Sequence, residues 1–296
     1  MTLGLVIVTF HCRELVLECL ESIATHLHGA LAAVVVVDNA SHDGTVEGIR
    51  ERFPSVSVIE QSSNGGFAAA ADAGILALPD HDVVCLLNPD AILLDDGLLA
   101  AASYLDVHQD VGVLGARIEN PDGSLQPSCR AFPGHLTVLF NRHSLVTKLL
   151  PGNRWSQRYL MTDWPHDEVR DVDWVSGACM LIHRRAIEKA DLLDPEFFFS
   201  IEDVDFCRRV HDVGLRVQYY PMARLQHRVG GSSRHAVYQA MAAHHRGMWL
   251  YYRRHLRGSV LVDVITAGGI LTRLGIHAVS YTTRTAANRV LRRPNP

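Results

Sequence analysis

The chain has 296 residues and is 48% hydrophobic, ample for a sizeable core in one large domain or one domain with an appendage. Its six cysteines are scattered without metal-ligand spacing, several within apolar runs, which argues against a zinc module and for a reducing, cytoplasmic interior. A net charge of −4 hides an asymmetry: Arg246 to Pro296 holds nine Arg, no Lys and one acid, for +8, against −12 before it. No stretch reaches ~18 uncharged apolar residues, so no spanning helix is expected. Met1-Thr2-Leu3-Gly4 runs directly into a strand-like segment, so no leader is expected either.

Leu3 to Thr9 predicts a buried strand. A helix pattern follows Phe10-His11-Cys12-Arg13 to about His26, with Leu15, Cys19, Leu20 and Ile23 on one face. Leu31 to Val37 predicts a second strand, ending in Asp38-Asn39-Ala40-Ser41, and Asp43 an N-cap for a helix to Phe53. Val56 to Glu60 alternates like a third strand. Asn64-Gly65-Gly66-Phe67 opens an Ala-rich helix to about Leu78, where backbone N–H groups could face an oxygen ligand. Val83 to Leu87 predicts a fourth strand, stopped by Asn88-Pro89 and followed by Asp90. Leu98 to Val107 predicts a helix and Val111 to Ala116 a fifth strand. Strands alternating with helices predict a doubly wound, mostly parallel α/β sheet flanked by helices. Its strand ends would gather Thr9, Asp38, Asn64 and Asp90 at one edge, a nucleotide-sized site.

Residues 117 to 170 lose the alternation and predict an active-site insertion, with short helices near Leu136–Leu150. Val172 to His183 returns to strand character. The aromatic cluster Phe197-Phe198-Phe199 precedes a helix starting at Glu202-Asp203-Val204-Asp205, and Arg216 to Tyr220 predicts a strand ended by Pro221. The acids at the helix start read either as capping or as a general base walled by aromatics. His227, before Gly230-Gly231-Ser232-Ser233, reads as a surface histidine or as a metal ligand, more readily for Mn²⁺ than for Mg²⁺. Arg130 and Asp173-Trp174 read as acceptor contacts or as packing. No Gly-x-Gly-x-x-Gly and no Walker-type loop follows the first strand.

Together these residues resemble family 2 glycosyltransferases, in particular their bacterial rhamnosyltransferase branch. The resemblance covers about residues 3 to 255 and rests on the order of Asp38-Asn39-Ala40-Ser41-x-Asp43-Gly44, Asn64-Gly65-Gly66-Phe67-Ala68, Leu87-Asn88-Pro89-Asp90, Trp174-Val175-Ser176-Gly177-Ala178, Glu202-Asp203-Val204-Asp205 and His227-x-x-Gly230-Gly231-Ser232. It implies a GT-A fold, a nucleoside-diphosphate sugar donor (dTDP-rhamnose first, UDP-sugars second), a divalent cation (Mg²⁺ or Mn²⁺) and inversion at the anomeric carbon. By motif, Asp38 would hold the base or ribose and Asp90 would be the last acid of the metal motif. Asp203 would be the base, with Glu202 beside it, and His227 the distal metal ligand. Thr9, Phe10, His11, Asn39, Asn64, Gly65, Gly66 and Asn88 complete the expected donor site. Arg130, Asp173, Trp174, Gly177 and Ala178 form the expected acceptor site. Asn88 in place of an acid, and His11 and Asp72 where Asn is usual, are departures that bear on how metal and nucleotide are held.

The expected organisation is a transferase domain over 1–240, divided at 116/117, and an amphipathic helical extension over 241–296. In the extension, Val264, Ala267, Leu271, Leu274 and Ala278 fall on one helical face, with Arg253, Arg254, Arg257 and Arg273 supplying positive charge. That pattern suits an anionic membrane surface on the cytoplasmic side and equally suits packing on the body or a homodimer. The expected acceptor is a glycan or lipid-linked chain. A nucleotidyltransferase would need a basic Gly-rich loop that Thr9-Phe10-His11-Cys12 does not provide. A non-catalytic carbohydrate- or nucleotide-binding module would not need Asp90, Asp203 and His227, and nucleic-acid binding, a third reading that rests on the Arg-rich tail alone, is not expected.

Overall fold

In a computed structural model, residues 1–27, 32–135, 149–150, 153–228 and 237–291 are described. Residues 136–148, where short helices were expected, and Gly230 to Ser233 lie outside them.

The first half alternates as its periodicities dictate: β1 (Leu3–Thr9), α1 (Arg13–His26), β2 (Ala32–Asp38), α2 (Thr45–Arg52), β3 (Ser57–Glu60), α3 (Phe67–Leu76), β4 (Val83–Leu87), β5 (Ala91–Leu93), α4 (Gly97–Val107) and β6 (Val111–Glu119). The second half adds β7 (Leu125–Gln126), β8 (Cys129–Arg130), α5 (Arg154–Leu160), β9 (Arg170–Asp171), β10 (Trp174–Val175), β11 (Cys179–His183), α6 (Arg184–Ala190), α7 (Glu202–Asp212), β12 (Arg216–His227), α8 (Val237–His255) and α9 (Val260–Leu291).

Among the described residues one sheet runs β3-β2-β1-β4-β11-β6-β12-β5, with β7 added to β6 and β9 to β12. β1, β2, β3 and β4 are parallel to one another, as are β6 and β12, while β11 and β5 run antiparallel to their neighbours. Every residue of β1 and β4 is buried, because helices cover both faces of this part of the sheet. Leu3, Leu5 and Ile7 pack with α1 on one face, and Val6 and Val8 with α3 on the other. A Cβ on Gly74 of α3 would lie 2.3 Å from Val6 Cγ1, so only glycine admits this approach of helix to strand.

Two expectations are corrected. Asp43 is not the N-cap of α2; that position falls to Gly44 in a left-handed turn (φ 77°), while Asp43 accepts from the Thr45 backbone N–H at 3.3 Å. The strand from Arg216 does not end at Pro221 but continues to His227, with a register shift between Tyr220 and Arg224. A proline has no N–H to lose at such an irregularity. This longer strand pairs His227 with Ala91 of β5 and so carries it to the residue after Asp90.

Candidate active site

The carboxyl ends of β1, β2 and β4 open into a cavity of about 650 Å³. Thr9, Phe10, Asn39, Asn64, Gly66, Asn88 and Asp90 line it, together with Arg130, Trp174, Asp203 and His227. Parallel register explains the first group: Thr9 is level with Asp38, and Ile7 with Leu87, so the residues that follow emerge together. His11, Asp38, Gly65, Asp173, Gly177, Ala178 and Glu202 are not in the lining.

Several of these have visible structural work. Asp38 is 2% exposed; one oxygen accepts from Ser41 N at 2.8 Å and the other, Oδ1, has no partner. His11 holds this turn from the other side by donating its backbone N–H to Ser41 Oγ (2.9 Å). Asp173 accepts from Phe132 N at 2.6 Å, and Trp174 donates from Nε1 to Ala131 O at 2.9 Å, so the pair anchors the strand that carries Arg130. Ala178 O receives the Asn88 N–H at 3.0 Å. The glycine turn before α3 does not offer the amides expected of it. Gly66 N donates to Asn64 Oδ1 (3.0 Å) and Phe67 N to Phe198 O (2.8 Å), while a Cβ on Gly66 would sit 2.4 Å from Phe198 O. Gly66, at φ 91°, is needed for the close approach of the Phe198 loop.

At the metal-motif end, His227 Nε2 lies 3.1 Å from Asp90 Oδ1 and 3.1 Å from Asn88 Nδ2. Its other nitrogen, Nδ1, is 2.8 Å from Gln126 Oε1, an oxygen that only accepts, so Nδ1 carries the proton. Nε2 is thus shared between the Asn88 amide and a carboxylate that is 2% exposed and whose oxygens have no hydrogen-bond donor. A buried carboxylate without donors beside a histidine nitrogen is costly as it stands, and a cation there would offset that cost. The donor set therefore fits a divalent ion. Among the described residues no group of three or more His, Cys, Asp or Glu converges to hold one, so an ion there would need ligand oxygens to complete its shell.

Asp203 sits half-buried in the first turn of α7. Its Oδ2 accepts from Gly177 N (3.0 Å) and Oδ1 from Val204 N (2.9 Å). Burial pushes its carboxyl above the usual range, against the two amides and the positive charge of Arg130. Glu202 is buried, 6% exposed, with Oε2 unpartnered; burial and the neighbouring Asp203 push it well above the usual range. Ser200 and Ile201, just before them, both have positive φ (67° and 79°), a strained pair for non-glycine residues. The backbone of Gly247 on α8 packs against this turn, and His244 Nδ1 meets Ser200 Oγ at 3.0 Å. Of the three phenylalanines, Phe197 is in the core with Tyr251, while Phe198 and Phe199 wall the cavity.

Asp72 does not line the cavity. It accepts from Leu193 N at 3.1 Å, and burial raises its carboxyl to about 7. An acid whose folded pKa is raised binds more protons folded than unfolded, so stability falls as pH rises from about 4 to about 7. Asp72→Asn, which keeps the acceptor, is expected to raise stability by roughly 1–3 kcal/mol at pH 8, with no gain below pH 4. Thermal melts of both proteins across that range check it; a gain that persists at pH 3.5 would contradict the assignment.

Sequence reasoning missed Gln126, whose role appears only once β7 lies beside His227. It also missed the far wall, where α8 and α9 contribute His244, Met248, Arg273 and His277.

A mainly parallel sheet flanked by helices, with acids at the strand ends, is a GT-A architecture, and the solved neighbours share it. A mannosyltransferase of Pyrobaculum calidifontis, in complex with GDP-Man and Mn²⁺, superposes with a TM-score of 0.59 at 15% identity over 99% of this chain and 81% of its own. GalNAc-T7 with UDP, GalNAc and Mn²⁺ gives 0.60 at 14% identity over 91% of this chain and 54% of its own. Residues 2–260 match the family model described as glycosyltransferase like family 2, and the chain belongs to that family. It is 30% identical over 232 residues, 74% of each chain, to the N-acetylglucosaminyl-diphospho-decaprenol L-rhamnosyltransferase of Mycobacterium tuberculosis. It is 26% identical over 179 residues, 59% of this chain and 63% of the other, to the rhamnosyltransferase WbbL of Escherichia coli K12.

Proposed function

We propose that this glycosyltransferase moves a deoxyhexose, rhamnose from dTDP-rhamnose, to a hydroxyl of a lipid-linked or growing glycan, with inversion at the anomeric carbon. The relatives named as rhamnosyltransferases support the sugar, and the decaprenyl-linked acceptor in the name of the mycobacterial relative supports the acceptor class. A UDP-sugar is the second choice of donor. The observation that carries the reading is the buried Asp90 carboxylate without a hydrogen-bond donor, 3.1 Å from His227 Nε2, in the same cavity as Asp203.

Asp90 and His227 hold the divalent cation, Mg²⁺ or Mn²⁺. When bound it neutralises charge on the leaving diphosphate. Thr9 and Phe10 at the end of β1 and Asn39 after β2 hold the nucleoside, while Asp38, outside the lining, fixes the turn that carries Asn39. Asp203 accepts the proton of the acceptor hydroxyl as that oxygen bonds to the anomeric carbon from the face opposite the diphosphate and the bond to the diphosphate oxygen breaks. The Gly177 and Val204 amides fix the orientation of Asp203, and Phe198 and Phe199 limit water around it. Glu202, buried behind the wall, orders the start of α7. Thermal-shift screening against a panel of nucleotide sugars with Mn²⁺ tests the reading. Stabilisation by dTDP-rhamnose above the others is expected, and no stabilisation by any nucleotide sugar would overturn it.

The tail also carries a location. By length and composition alone Val260–Thr283 of α9 is long and apolar enough to cross a membrane, with Asp263 and Arg273 its two Asp, Glu, Lys or Arg residues, which bears on the expectation of no spanning helix without deciding it. Its outer face differs from the stripe expected. Leu261, Val264, Ile265, Leu271, Ile276 and Val279 are 62–70% exposed, whereas Ala267, Leu274 and Ala278 turn partly inward. Asp263 turns inward to accept from Tyr252 Oη at 2.7 Å, and Arg273 lines the cavity. An apolar outer face on a segment of charge +8 fits an anionic leaflet, with α9 lying along it as a peripheral anchor. Leu271→Glu with Ile276→Glu places two charges on that face. It is expected to abolish pelleting with phosphatidylglycerol vesicles while leaving donor binding unchanged. Undiminished pelleting would remove the idea, and a change of oligomeric state instead would identify the face as a dimer contact.

A further inference from the structure

Arg273 is left without a role by the chemistry above. It projects from the inner face of α9 into the wall of the cavity that also holds Asp90 and Asp203, and His277, one helical turn on, lines it too. Its guanidinium is half-buried, with Nη1 3.9 Å from the Met248 thioether and the Tyr159 phenol as an electrostatic neighbour. Two other arginines of this region have acids: Arg254 pairs with Asp194 and Glu196, and Arg257 with Asp263. No carboxylate lies within 4.0 Å of Arg273 among the described residues. Holding a cation partly out of water with no counter-charge is costly, and such a cost is sustained where a ligand supplies the charge. A planar guanidinium is suited to phosphate oxygens, which it can meet through paired N–H donors.

The opposite face of the same helix is exposed and apolar. A ligand with an anionic head and a hydrocarbon chain would be matched on both sides, its head at Arg273 and its chain along the outer surface of α9. We infer that Arg273, with His277 beside it, forms an anion site for the phosphate or diphosphate of an amphiphilic acceptor. This rests on the transferase reading, since Asp203 defines the acceptor side of the cavity. The donor's own diphosphate belongs at the Asp90 end, and the test separates the two.

Farnesyl diphosphate serves as the probe and farnesol as its uncharged control, titrated by calorimetry into the full chain saturated with dTDP and Mn²⁺. The wild-type protein is expected to bind farnesyl diphosphate with dTDP in place. Arg273→Met is expected to weaken it by at least about tenfold, the loss of a charge-assisted hydrogen bond, with dTDP and farnesol affinities unchanged. Arg273→Lys, which keeps the charge without the fork, is expected to fall between the two and serves where Arg273→Met fails to fold. Binding to Arg273→Met or Arg273→Lys as tight as wild type would overturn the inference. So would no binding to the wild type, or displacement of farnesyl diphosphate by dTDP, which would make this the donor's site. Loss of phosphatidylglycerol-vesicle binding without loss of farnesyl diphosphate would overturn it in favour of a headgroup contact. Unimpaired dTDP binding in these titrations leaves the transferase reading standing whatever happens to the acceptor site.

Discussion

Asp203→Asn is expected to lower kcat by roughly 10²–10⁴ while donor affinity stays near normal, because it keeps the shape of the side chain and removes its basicity. The amides of Gly177 and Val204 hold both oxygens, so the asparagine oxygen can keep one of these bonds and the loss is chemical rather than structural. Burial raises the carboxyl of Asp203, so the acid limb of kcat lies above the range of an ordinary aspartate, near ~3.9. The rate falls as pH drops through that limb, since the protonated acid cannot accept the hydroxyl proton. Glu202→Gln costs much less, because Glu202 is buried behind the cavity wall rather than in it. Single-turnover rates and donor affinities for both variants check this. A normal Asp203→Asn beside a dead Glu202→Gln would reassign the base, and two normal variants would refute the mechanism.

The second large effect belongs to the metal end. Gln126→Leu, which releases the proton-bearing nitrogen of His227, is expected to cost roughly 10–100-fold in Mn²⁺ affinity measured with nucleoside diphosphate present, as the loss of an orienting partner does. His227→Ala and Asp90→Asn each remove a proposed ligand outright and are expected to cost more. Since the chain supplies few ligands, Mn²⁺ is expected to bind weakly to the wild type until a nucleoside diphosphate is added. Asp90→Asn carries an independent signature: without metal it melts higher than wild type, because a buried carboxylate lacking donors is replaced by a neutral amide. Tight Mn²⁺ binding in the absence of nucleotide, or an Asp90→Asn protein that melts lower, would contradict the arrangement.

Much of this was legible in the sequence because parallel strands covered on both faces read as unbroken apolar runs whose ends are sharp. Leu3 to Thr9 and Val83 to Leu87 are recovered to the residue, and Thr9, Asn39, Asn88 and Asp90 meet where the register brings them. Features that depend on non-local pairing were hidden. Pro221 reads as a strand end, yet the irregularity around it lets β12 run on to His227. Gln126 is an unremarked residue in a two-residue strand until the sheet sets it against His227. Gly66 looks like a ligand cradle, but its freedom is used for contact with Phe198, a residue distant in the chain. On α9 the periodicity located an apolar face without saying which side the body would cover, so Arg273 counted as surface charge rather than as a wall of the cavity.

The account as a whole is tested most directly by incubating the protein with dTDP-rhamnose and the UDP-sugar panel, with Mn²⁺ or with EDTA, and measuring released nucleoside diphosphate. Slow release from one nucleotide sugar, dependent on Mn²⁺ and abolished in His227→Ala, is the predicted result. Release that is indifferent to EDTA and to His227→Ala, or no release from any nucleotide sugar, would contradict it.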